Sequence, residues 1–322
     1  MTQAQPMDPE ILPFANRFAT QMGEPGVSVD EWRRRYAALL AEQGSPASPV
    51  ATRDIEIPTR HGSLTARLYL PESDDPALLV YMHGGGFVVG NLESLEVPLH
   101  ALSRGAGIAI LSLDYALSPE NMYPVALEQC QDALRWAEQN LGTLGVAGPI
   151  AVGGDSAGGN FAALLTLWAR DTDGPKIDWQ VLINPVLDFP AVDTMGTESH
   201  RIYGDSPMLN TQAMQIFMKS YFKDELAKIS ASPSLRDDLS GLPPAFIAAA
   251  ECDPLRDDSI AYAKRLSDVG IRASLSVYEG MTHNFAVLTH ISGTARTFLG
   301  DLIDAASAWA KGRSDRDVPV QT

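Results

Sequence analysis

The sequence predicts a sharp backbone turn at Val152-Gly153-Gly154-Asp155-Ser156-Ala157-Gly158-Gly159-Asn160. The apolar residues 149–152 predict a buried strand, and residues 161–170 have a helical composition. Gly-x-Ser-x-Gly between a strand and a helix is typical of a nucleophile elbow, in which small residues let the two elements approach closely and leave the serine exposed. The alternative is a chance occurrence of this pattern in an ordinary turn. Ser156 is a candidate nucleophile if the chain also supplies a base, an acid and oxyanion donors.

Short apolar segments separated by helical segments run through most of the chain. Residues 54–58 and 64–70 alternate apolar and polar side chains around a turn, which predicts an antiparallel hairpin. The remaining predicted strands are buried runs at residues 77–82, 108–113, 149–152, 181–187, 245–250 and 274–278. This order predicts an α/β fold with a mainly parallel, eight-stranded sheet flanked by helices. Ligands bind to such sheets at the carboxyl ends of the strands.

Two regions lie outside the repeat of strands and helices. The N-terminal region predicts two helices, and the second begins at a capping box at Ser28 and carries Trp32 and Tyr36 on one apolar face. The second region is too long for a simple connection and is rich in methionine. We interpret both as a helical cap, with the aromatic residues as packing and the methionines as cap core or a pocket wall. The predicted division is 1–50 for the N-terminal cap helices, 51–187 for the first part of the catalytic domain, 188–240 for the cap insertion and 241–322 for the second part.

A serine hydroxyl is a weak nucleophile without a base, and the chain offers six histidines as candidate bases. His283 follows the last predicted strand and should lie at the same sheet edge as Ser156. The other candidates are placed less well: His61 in the hairpin turn, His100 in a helix, His200 in the cap insertion and His290 beyond the loop. His283 is therefore the predicted base.

The acid that orients this histidine is expected after another strand and before the histidine in the chain. Asp253 directly follows the predicted strand at residues 245–250. It would accept the Nδ1 proton of the histidine and fix its tautomer. Glu251, Asp257 and Asp258 are alternatives, although we interpret the last two as caps of the following helix.

Oxyanion donors are predicted in His83-Gly84-Gly85-Gly86-Phe87, which follows a buried strand and matches the His-Gly-Gly-Gly motif. The N–H of Ala157, the residue after the nucleophile, completes the set. We interpret His83 as a structural hydrogen-bonding residue rather than a base. A phosphate-binding loop is disfavoured, because no Gly-Lys-Ser/Thr follows and no Gly-x-Gly-x-x-Gly opens a helix here.

Charge and cysteine content narrow the expected partners. With 24 basic and 40 acidic residues, the chain has a net charge of −16 and should repel nucleic acid and anionic membrane surfaces. No apolar run approaches the roughly 18 residues of a membrane helix, and the N-terminus lacks the pattern of a secretory signal. Cys130 and Cys252 form no redox or metal-ligand motif, so reduced thiols are expected. We expect a cytoplasmic protein without a metal, a nucleic-acid partner or membrane insertion.

Four motifs, taken in order, resemble those of the bacterial hormone-sensitive-lipase-like esterases of the α/β-hydrolase superfamily. They are His83-Gly84-Gly85-Gly86, Gly154-Asp155-Ser156-Ala157-Gly158-Gly159, Asp253-Pro254-Leu255-Arg256-Asp257 and His283-Asn284-Phe285. The resemblance implies an α/β-hydrolase fold with a catalytic triad of Ser156, His283 and Asp253. It implies an oxyanion hole from Gly85, Gly86 and Ala157, to which we add Gly84 as the residue that supports the turn.

The same resemblance implies a cap, no cofactor, hydrolysis of short-acyl carboxylic esters and a possible homodimer. One run, Asp114-Tyr115-Ala116-Leu117-Ser118-Pro119-Glu120, departs from the usual Tyr-Arg-Leu-Ala-Pro-Glu of the family. Ala116 cannot form the ion pairs of an arginine, so support beneath the site must differ. The Leu-Ser-Pro-Glu variant resembles the acetyl esterase branch, which favours small acyl groups.

Two other functions stay open on the motifs alone. An amidase or a thioesterase would use the same triad, because the motifs do not report the leaving group. A ligand-binding protein could also keep the hydrolase fold without catalysis. Such proteins usually lose a member of the triad, whereas all three are present in this chain.

Overall fold

Eight strands form one sheet in the computed structural model, which describes residues 4–23 and 26–312; the outer ends of the predicted ranges 1–50 and 241–322 lie outside the described residues. The strands are Ala51–Thr59 (β1), Gly62–Leu70 (β2), Leu78–Met82 (β3), Ala109–Leu113 (β4), Ile150–Asp155 (β5), Trp179–Ile183 (β6), Ala245–Cys252 (β7) and Ala273–Thr282 (β8).

The order across the sheet is β1-β2-β4-β3-β5-β6-β7-β8. β1 and β2 form the predicted hairpin, with Thr59 opposite Gly62, and β2 is also antiparallel to β4. All other neighbouring strands are parallel. The predicted mainly parallel, eight-stranded sheet is confirmed.

Helices connect the strands and cover both faces of the sheet. They are Leu12–Met22 (α1), Val29–Leu40 (α2), Glu96–Ala106 (α3), Val125–Gln139 (α4), Leu141–Leu144 (α5), Ala157–Asp171 (α6), Phe189–Thr194 (α7), Glu198–Tyr203 (α8), Thr211–Tyr221 (α9), Glu225–Ser230 (α10), Arg256–Asp268 (α11) and Gly293–Ala310 (α12). Short 3-10 turns occur at Ala41–Gln43, Pro233–Leu235 and Phe285–Leu288. As predicted, Ser28 caps α2, because its hydroxyl accepts a hydrogen bond from the Glu31 N–H at 3.2 Å.

The central strands β3, β4, β5 and β6 are buried on both faces. In β3, Leu78, Val80 and Met82 belong to one hydrophobic cluster, whereas Leu79 and Tyr81 belong to the other. This alternation follows from the two-residue period of a strand. The sheet is thus the middle layer of three, which holds the ends of its strands in fixed positions.

The strand predicted at residues 181–187 is wrong at its C-terminal end, since β6 stops at Ile183. Asn184 has a φ of +44°, and Pro185 has no N–H with which to continue the ladder. The carbonyl of Ile183 accepts a hydrogen bond from the Ser156 N–H at 2.8 Å. The strand therefore ends beside the turn that carries the candidate nucleophile.

The N-terminal helices contact the insertion between β6 and β7. The rings of Trp32 in α2 and Phe217 in α9 lie 5.7 Å apart, and the N–H of Gln5 donates to the Tyr203 hydroxyl at 3.1 Å. Two regions that are distant in sequence are thereby joined into one helical layer.

Asp257 and Asp258 do not cap α11, so that prediction is wrong. Asp257 Oδ2 accepts a hydrogen bond from the Ser199 N–H at 2.8 Å. Asp258 Oδ2 accepts from the N–H groups of Leu187 and Asp188, at 3.0 and 3.3 Å. Both carboxylates fasten the insertion after β6 to α11. Asp258 is 3% exposed, and burial raises its pKa to about 8.

Replacing Asp258 by Asn should flatten part of the pH dependence of stability. Because the folded-state pKa of about 8 lies above the ordinary value of 3.8, the folded chain keeps a proton that the unfolded chain loses, and stability falls as the pH rises between these values. The amide cannot ionise but still offers an oxygen to the Leu187 N–H. Chemical unfolding from about pH 4 to pH 8 should show wild type losing on the order of 5 kcal/mol relative to Asp258→Asn.

Asp257→Asn is the matched control for this measurement, because Asp257 is the neighbouring, half-buried carboxyl. This control makes the same exchange of a carboxyl for an amide but leaves the buried Asp258 in place, so it should change the slope of unfolding free energy against pH less than Asp258→Asn does. The assignment of the slope to Asp258 is wrong if Asp258→Asn keeps it as well.

Candidate active site

Ser156 sits at a strained turn between β5 and α6. Its φ of +52° and ψ of −116° lie outside the regions that side chains ordinarily occupy. A Cβ on Gly154 would collide with the backbone of Gly158, and a Cβ on Gly158 would collide with the Met82 carbonyl. Glycine is therefore required at both positions for the strand and helix to come this close. The serine hydroxyl is held at the N-terminus of α6.

The structure brings the three predicted residues Ser156, His283 and Asp253 together. Nε2 of His283 lies 2.8 Å from Oγ of Ser156, and Nδ1 lies 2.8 Å from Oδ2 of Asp253. Since Nδ1–H donates to the carboxylate, Nε2 can accept the serine proton. The other oxygen of Asp253 accepts from the Leu255 N–H at 2.9 Å. The three side chains follow β5, β7 and β8, and all are buried.

The competing candidates lie elsewhere. Glu251 accepts a hydrogen bond from the Gly280 N–H at 2.9 Å. His61 pairs with Glu128 at the surface, with Nε2 and Oε2 2.5 Å apart. His100 accepts a hydrogen bond from the Val50 N–H, and Nδ1 of His290 lies 3.2 Å from the Val287 carbonyl. Nε2 of His200 lies 3.8 Å from Asp258 Oδ1, which is beyond hydrogen-bond distance. None of these groups reaches Ser156.

Gly84 is not available as an oxyanion donor, which corrects the predicted set. Its N–H donates to Oδ1 of Asp155 at 2.9 Å. The N–H groups of Gly85, Gly86 and Ala157 donate to no carbonyl or side chain among the described residues, and all three residues line the cavity at Ser156. Gly85 and Gly86 have φ values of +121° and +58°, which favour glycine.

Asp155 links the elbow to this glycine loop. Its Oδ1 accepts hydrogen bonds from the Gly84 N–H and from the Tyr81 hydroxyl at 3.0 Å. Burial raises the pKa of Asp155 to about 6, although these two donors oppose the rise. The side chain thereby fixes the distance between the turn at Ser156 and the loop that follows β3. Sequence patterns do not indicate this role, because Asp155 occupies a variable position of Gly-x-Ser-x-Gly.

His83 has the contacts expected of a structural residue. Its Nδ1–H donates to the Gly84 carbonyl at 2.7 Å, and its ring stacks on Tyr115 at 4.3 Å. The Tyr115 hydroxyl donates to the His83 carbonyl at 2.7 Å. Burial lowers the pKa of His83 to about 4, so the ring is neutral at physiological pH. It shapes the loop without facing the nucleophile.

A cavity of about 80 Å³ lies against Ser156 and His283. Most of its other lining residues are apolar and come from the two helical regions: Phe18, Met22, Trp32 and Tyr36 from the first, and Phe189, Val192, Met208, Leu209, Ala213, Met214, Phe217 and Met218 from the second. Trp32 and Tyr36 have the predicted packing contacts, with Phe217 and Phe18, and they also line this cavity. Likewise, Met208, Met214 and Met218 are buried core residues that also form part of the cavity wall.

Phe217 lies directly over the glycine loop. A Cβ on Gly86 would collide with its ring. Helical periodicity predicted that α2 and α9 have apolar faces, but it could not report that those faces meet a cavity. The sequence signal for Phe217 was only its place in a long insertion after a strand.

The part of the chain that the structure describes offers neither a metal-binding cluster nor a membrane-spanning helix. Residues 4–23 and 26–312 contain no group of three or more His, Cys, Asp and Glu side chains that could hold a metal ion. Over the same residues, every helix is too short or too polar to cross a bilayer.

Comparisons with known proteins agree with this geometry. A family model described as the alpha/beta hydrolase fold matches residues 79–287. Ethyl acetate hydrolase of Pseudomonas putida is 36% identical over 273 residues, or 80% of this chain and 83% of the relative. Carboxylic ester hydrolase LipN of Mycobacterium tuberculosis is 35% identical over 302 residues, or 89% and 79% of the two chains. The solved hyperthermophilic esterase from the archaeon Pyrobaculum calidifontis is 33% identical, with a TM-score of 0.88 over 95% of this chain and 99% of that one.

Proposed function

This chain belongs to the hormone-sensitive-lipase-like esterases of the α/β-hydrolase superfamily, and from that premise we propose how its residues cleave an ester. The protein is a carboxylic ester hydrolase. We assign Ser156 as nucleophile, His283 as general base and acid, and Asp253 as the orienting carboxylate. The observation that carries this assignment is the unbroken line of hydrogen-bond contacts from Ser156 Oγ through His283 to Asp253.

The first half of the reaction forms an acyl-enzyme. Ser156 Oγ attacks the ester carbonyl carbon while its proton passes to Nε2 of His283. The N–H groups of Gly85, Gly86 and Ala157 donate to the carbonyl oxygen as it becomes an oxyanion. His283 then returns the proton to the leaving oxygen, the C–O bond breaks, and the alcohol departs.

The second half repeats these steps with water in place of the serine. His283 takes a proton from water, the resulting hydroxide attacks the acyl carbon, and the proton goes to Ser156 Oγ as the acid is released. Asp253 accepts the Nδ1–H hydrogen bond and stabilises the imidazolium that forms twice per turnover. In each half the buried imidazole of His283 becomes positively charged. The buried carboxylate of Asp253, 2.8 Å from Nδ1, compensates that charge.

The helical regions act as a cap in this proposal. Residues 1–50 and 188–240 cover the site, and residues 51–187 and 241–322 form the catalytic domain. Support comes from the cavity, whose lining side chains come from both helical regions as well as from the loops after β3 and β5. The cap thus shapes the space for the acyl and alcohol groups.

Substitution of the proposed orienting acid tests this mechanism. Asp253→Asn should lower kcat for a 4-nitrophenyl acetate assay by about 10⁴-fold, because the amide favours the wrong histidine tautomer. Ser156→Ala should also abolish rapid labelling by an organophosphonate. Glu251→Gln is the matched control, since Glu251 is a carboxylate two residues away that bonds the Gly280 N–H, and it should change the activation free energy by less than about 1 kcal/mol.

Matched ester, thioester and amide substrates separate the rival activities within the same experiment. Fastest turnover of the amide or thioester would replace the carboxylesterase assignment. A protein that binds the phosphonate without covalent labelling would be the non-catalytic member of the fold. Equal losses in Asp253→Asn and Glu251→Gln would remove Asp253 from the triad.

The cavity also sets the expected acyl preference. We propose short acyl groups, because the volume is about 80 Å³ and Phe217 closes the space above Gly86. Phe217→Ala should raise the ratio of kcat/KM for hexanoyl over acetyl esters by about tenfold or more, as each accommodated methylene contributes to transition-state binding. An acyl series from C2 to C12 measures this ratio. Gln215→Ala, on the exposed side of α9, is the control, and an unchanged ratio in Phe217→Ala would show that another group limits chain length.

We further propose a cytoplasmic homodimer in which two copies pair through β8. This strand is the last of the sheet, and Val277 on it is 43% exposed. Edge strands readily pair with a strand of another chain. The cytoplasmic location is supported separately by Cys130 and Cys252, which are both free thiols, as expected in a reducing compartment. Analytical ultracentrifugation of protein from the cytoplasmic fraction should give twice the chain mass of 34.7 kDa. Val277→Asp should give the monomer, and a monomeric wild type would contradict the proposal.

A further inference from the structure

Arg33 joins the first cap region to the loop that carries the proposed oxyanion donors. It lies in α2, and its Nε donates to the Val88 carbonyl at 2.9 Å. One Nη2 proton goes to the Ser118 carbonyl at 3.0 Å, and the guanidinium also forms a two-point contact with Glu120, at 2.7 and 2.8 Å. A single side chain therefore holds three points on two different loops.

The loop that Arg33 touches is strained. Gly85, Gly86 and Phe87 all have positive φ, at +121°, +58° and +65°. Phe87 is not a glycine, so its conformation must be held by the surroundings. The N–H of Val88 returns to the Gly85 carbonyl at 3.1 Å and closes a tight turn. A bond to the Val88 carbonyl therefore acts on the turn that directs the N–H groups of Gly85 and Gly86.

The second loop that Arg33 touches supports the same turn. The N–H of Ser118 donates to the Phe87 carbonyl at 2.8 Å. Ala116 in this loop is held only through its backbone, with its N–H donating to Gln129 at 2.8 Å. Its methyl side chain offers no hydrogen bond to the turn. The guanidinium group that bonds this loop belongs to Arg33 in α2, which bonds the Ser118 carbonyl.

We propose that Arg33 is a positioning residue for the oxyanion hole, so that docking of α2 and alignment of the Gly85 and Gly86 donors are one event. The inference rests on the proposed function, because it assigns those two N–H groups to the oxyanion. The carbonyls of Val88 and Ser118 are fully buried. Losing their shared donor should disturb the turn more than losing the exposed carboxylate of Glu120, since exposed ion pairs contribute little.

Kinetics with an ester and its thionoester test this role. A sulfur accepts hydrogen bonds weakly, so a thionoester depends less on the oxyanion donors than the oxygen ester does. Arg33→Ala should lower kcat on the oxygen ester about 10- to 100-fold with KM changed less than about threefold. The loss of kcat on the thionoester should be several-fold smaller, so the ratio of kcat for the oxygen ester to kcat for the thionoester should fall in Arg33→Ala.

Three further variants make the result specific. Arg34→Ala removes the next arginine of α2, which is 73% exposed and pairs with Glu31 of the same helix, and should keep both rates. Glu120→Gln should also keep them, because Arg33 retains both carbonyls. Arg33→Lys keeps the charge but cannot reproduce the planar fork, so it should give a smaller loss with the same bias toward the oxygen ester. This variant carries the test if Arg33→Ala does not fold.

Equal losses on the two substrates, or a raised KM with unchanged kcat, would overturn the proposal and leave Arg33 as an anchor of the cap. The proposal would also be overturned if Arg33→Lys kept the wild-type rates on both the oxygen ester and the thionoester. Failure of the proposed function is distinguishable, because wild type would then hydrolyse neither substrate.

Discussion

The close approach of β3, β5 and α6 at Gly154 and Gly158 is the constraint on which the site depends. Without room for a Cβ at either glycine, the chain can pass from strand to helix only through the strained backbone of Ser156. Such a conformation costs on the order of 1–3 kcal/mol and persists only where the surroundings enforce it. Here the Ser156 N–H is tied to Ile183, and its carbonyl accepts from Asn160 at 3.1 Å. The position of the hydroxyl is therefore set by the parallel sheet.

The carboxyl groups at this sheet edge are buried, so their hydrogen-bond partners determine whether a charge on them is compensated. Asp155 and Asp253 are both buried carboxyl groups, yet they meet different partners: a hydroxyl and an N–H for the first, an imidazole and an N–H for the second. In a low-dielectric site an uncompensated charge is costly. When the His283 imidazole is charged, it lowers the pKa of Asp155, so protonation of the imidazole favours the ionised form of the Asp155 carboxyl group. Asp155 thus adds to the field that stabilises the imidazolium as well as holding Gly84.

The juxtaposition of Ser156, His283 and Asp253 could be predicted from sequence, because each of these residues follows a strand and local patterns identify strand ends. The contacts of Asp258 and Gly84 could not be predicted in this way. Asp258 looked like a helix cap, but its partners lie 70 residues away in the chain, beyond any local pattern. Gly84 matched the glycine motif, but its N–H is taken by Asp155, a contact that exists only after β3 and β5 pair. Similarly, periodicity gave the apolar face of Tyr36 and did not indicate that a cavity lies opposite it.

The proposed cap contacts the loop that carries the proposed oxyanion donors at more than one point, so it forms part of the wall of the candidate active site. The ring of Phe87 stacks on Tyr221 of α9 at 3.9 Å with an interplanar angle of 5°, while Phe217 of the same helix covers Gly86. Because packed interiors transmit displacement, a shift of α9 that enlarged the cavity would also move the ring that supports Phe87. Pocket size and donor alignment are therefore coupled through one helix. A change in acyl preference made through the cap should accordingly be accompanied by a change in the rate of acyl transfer.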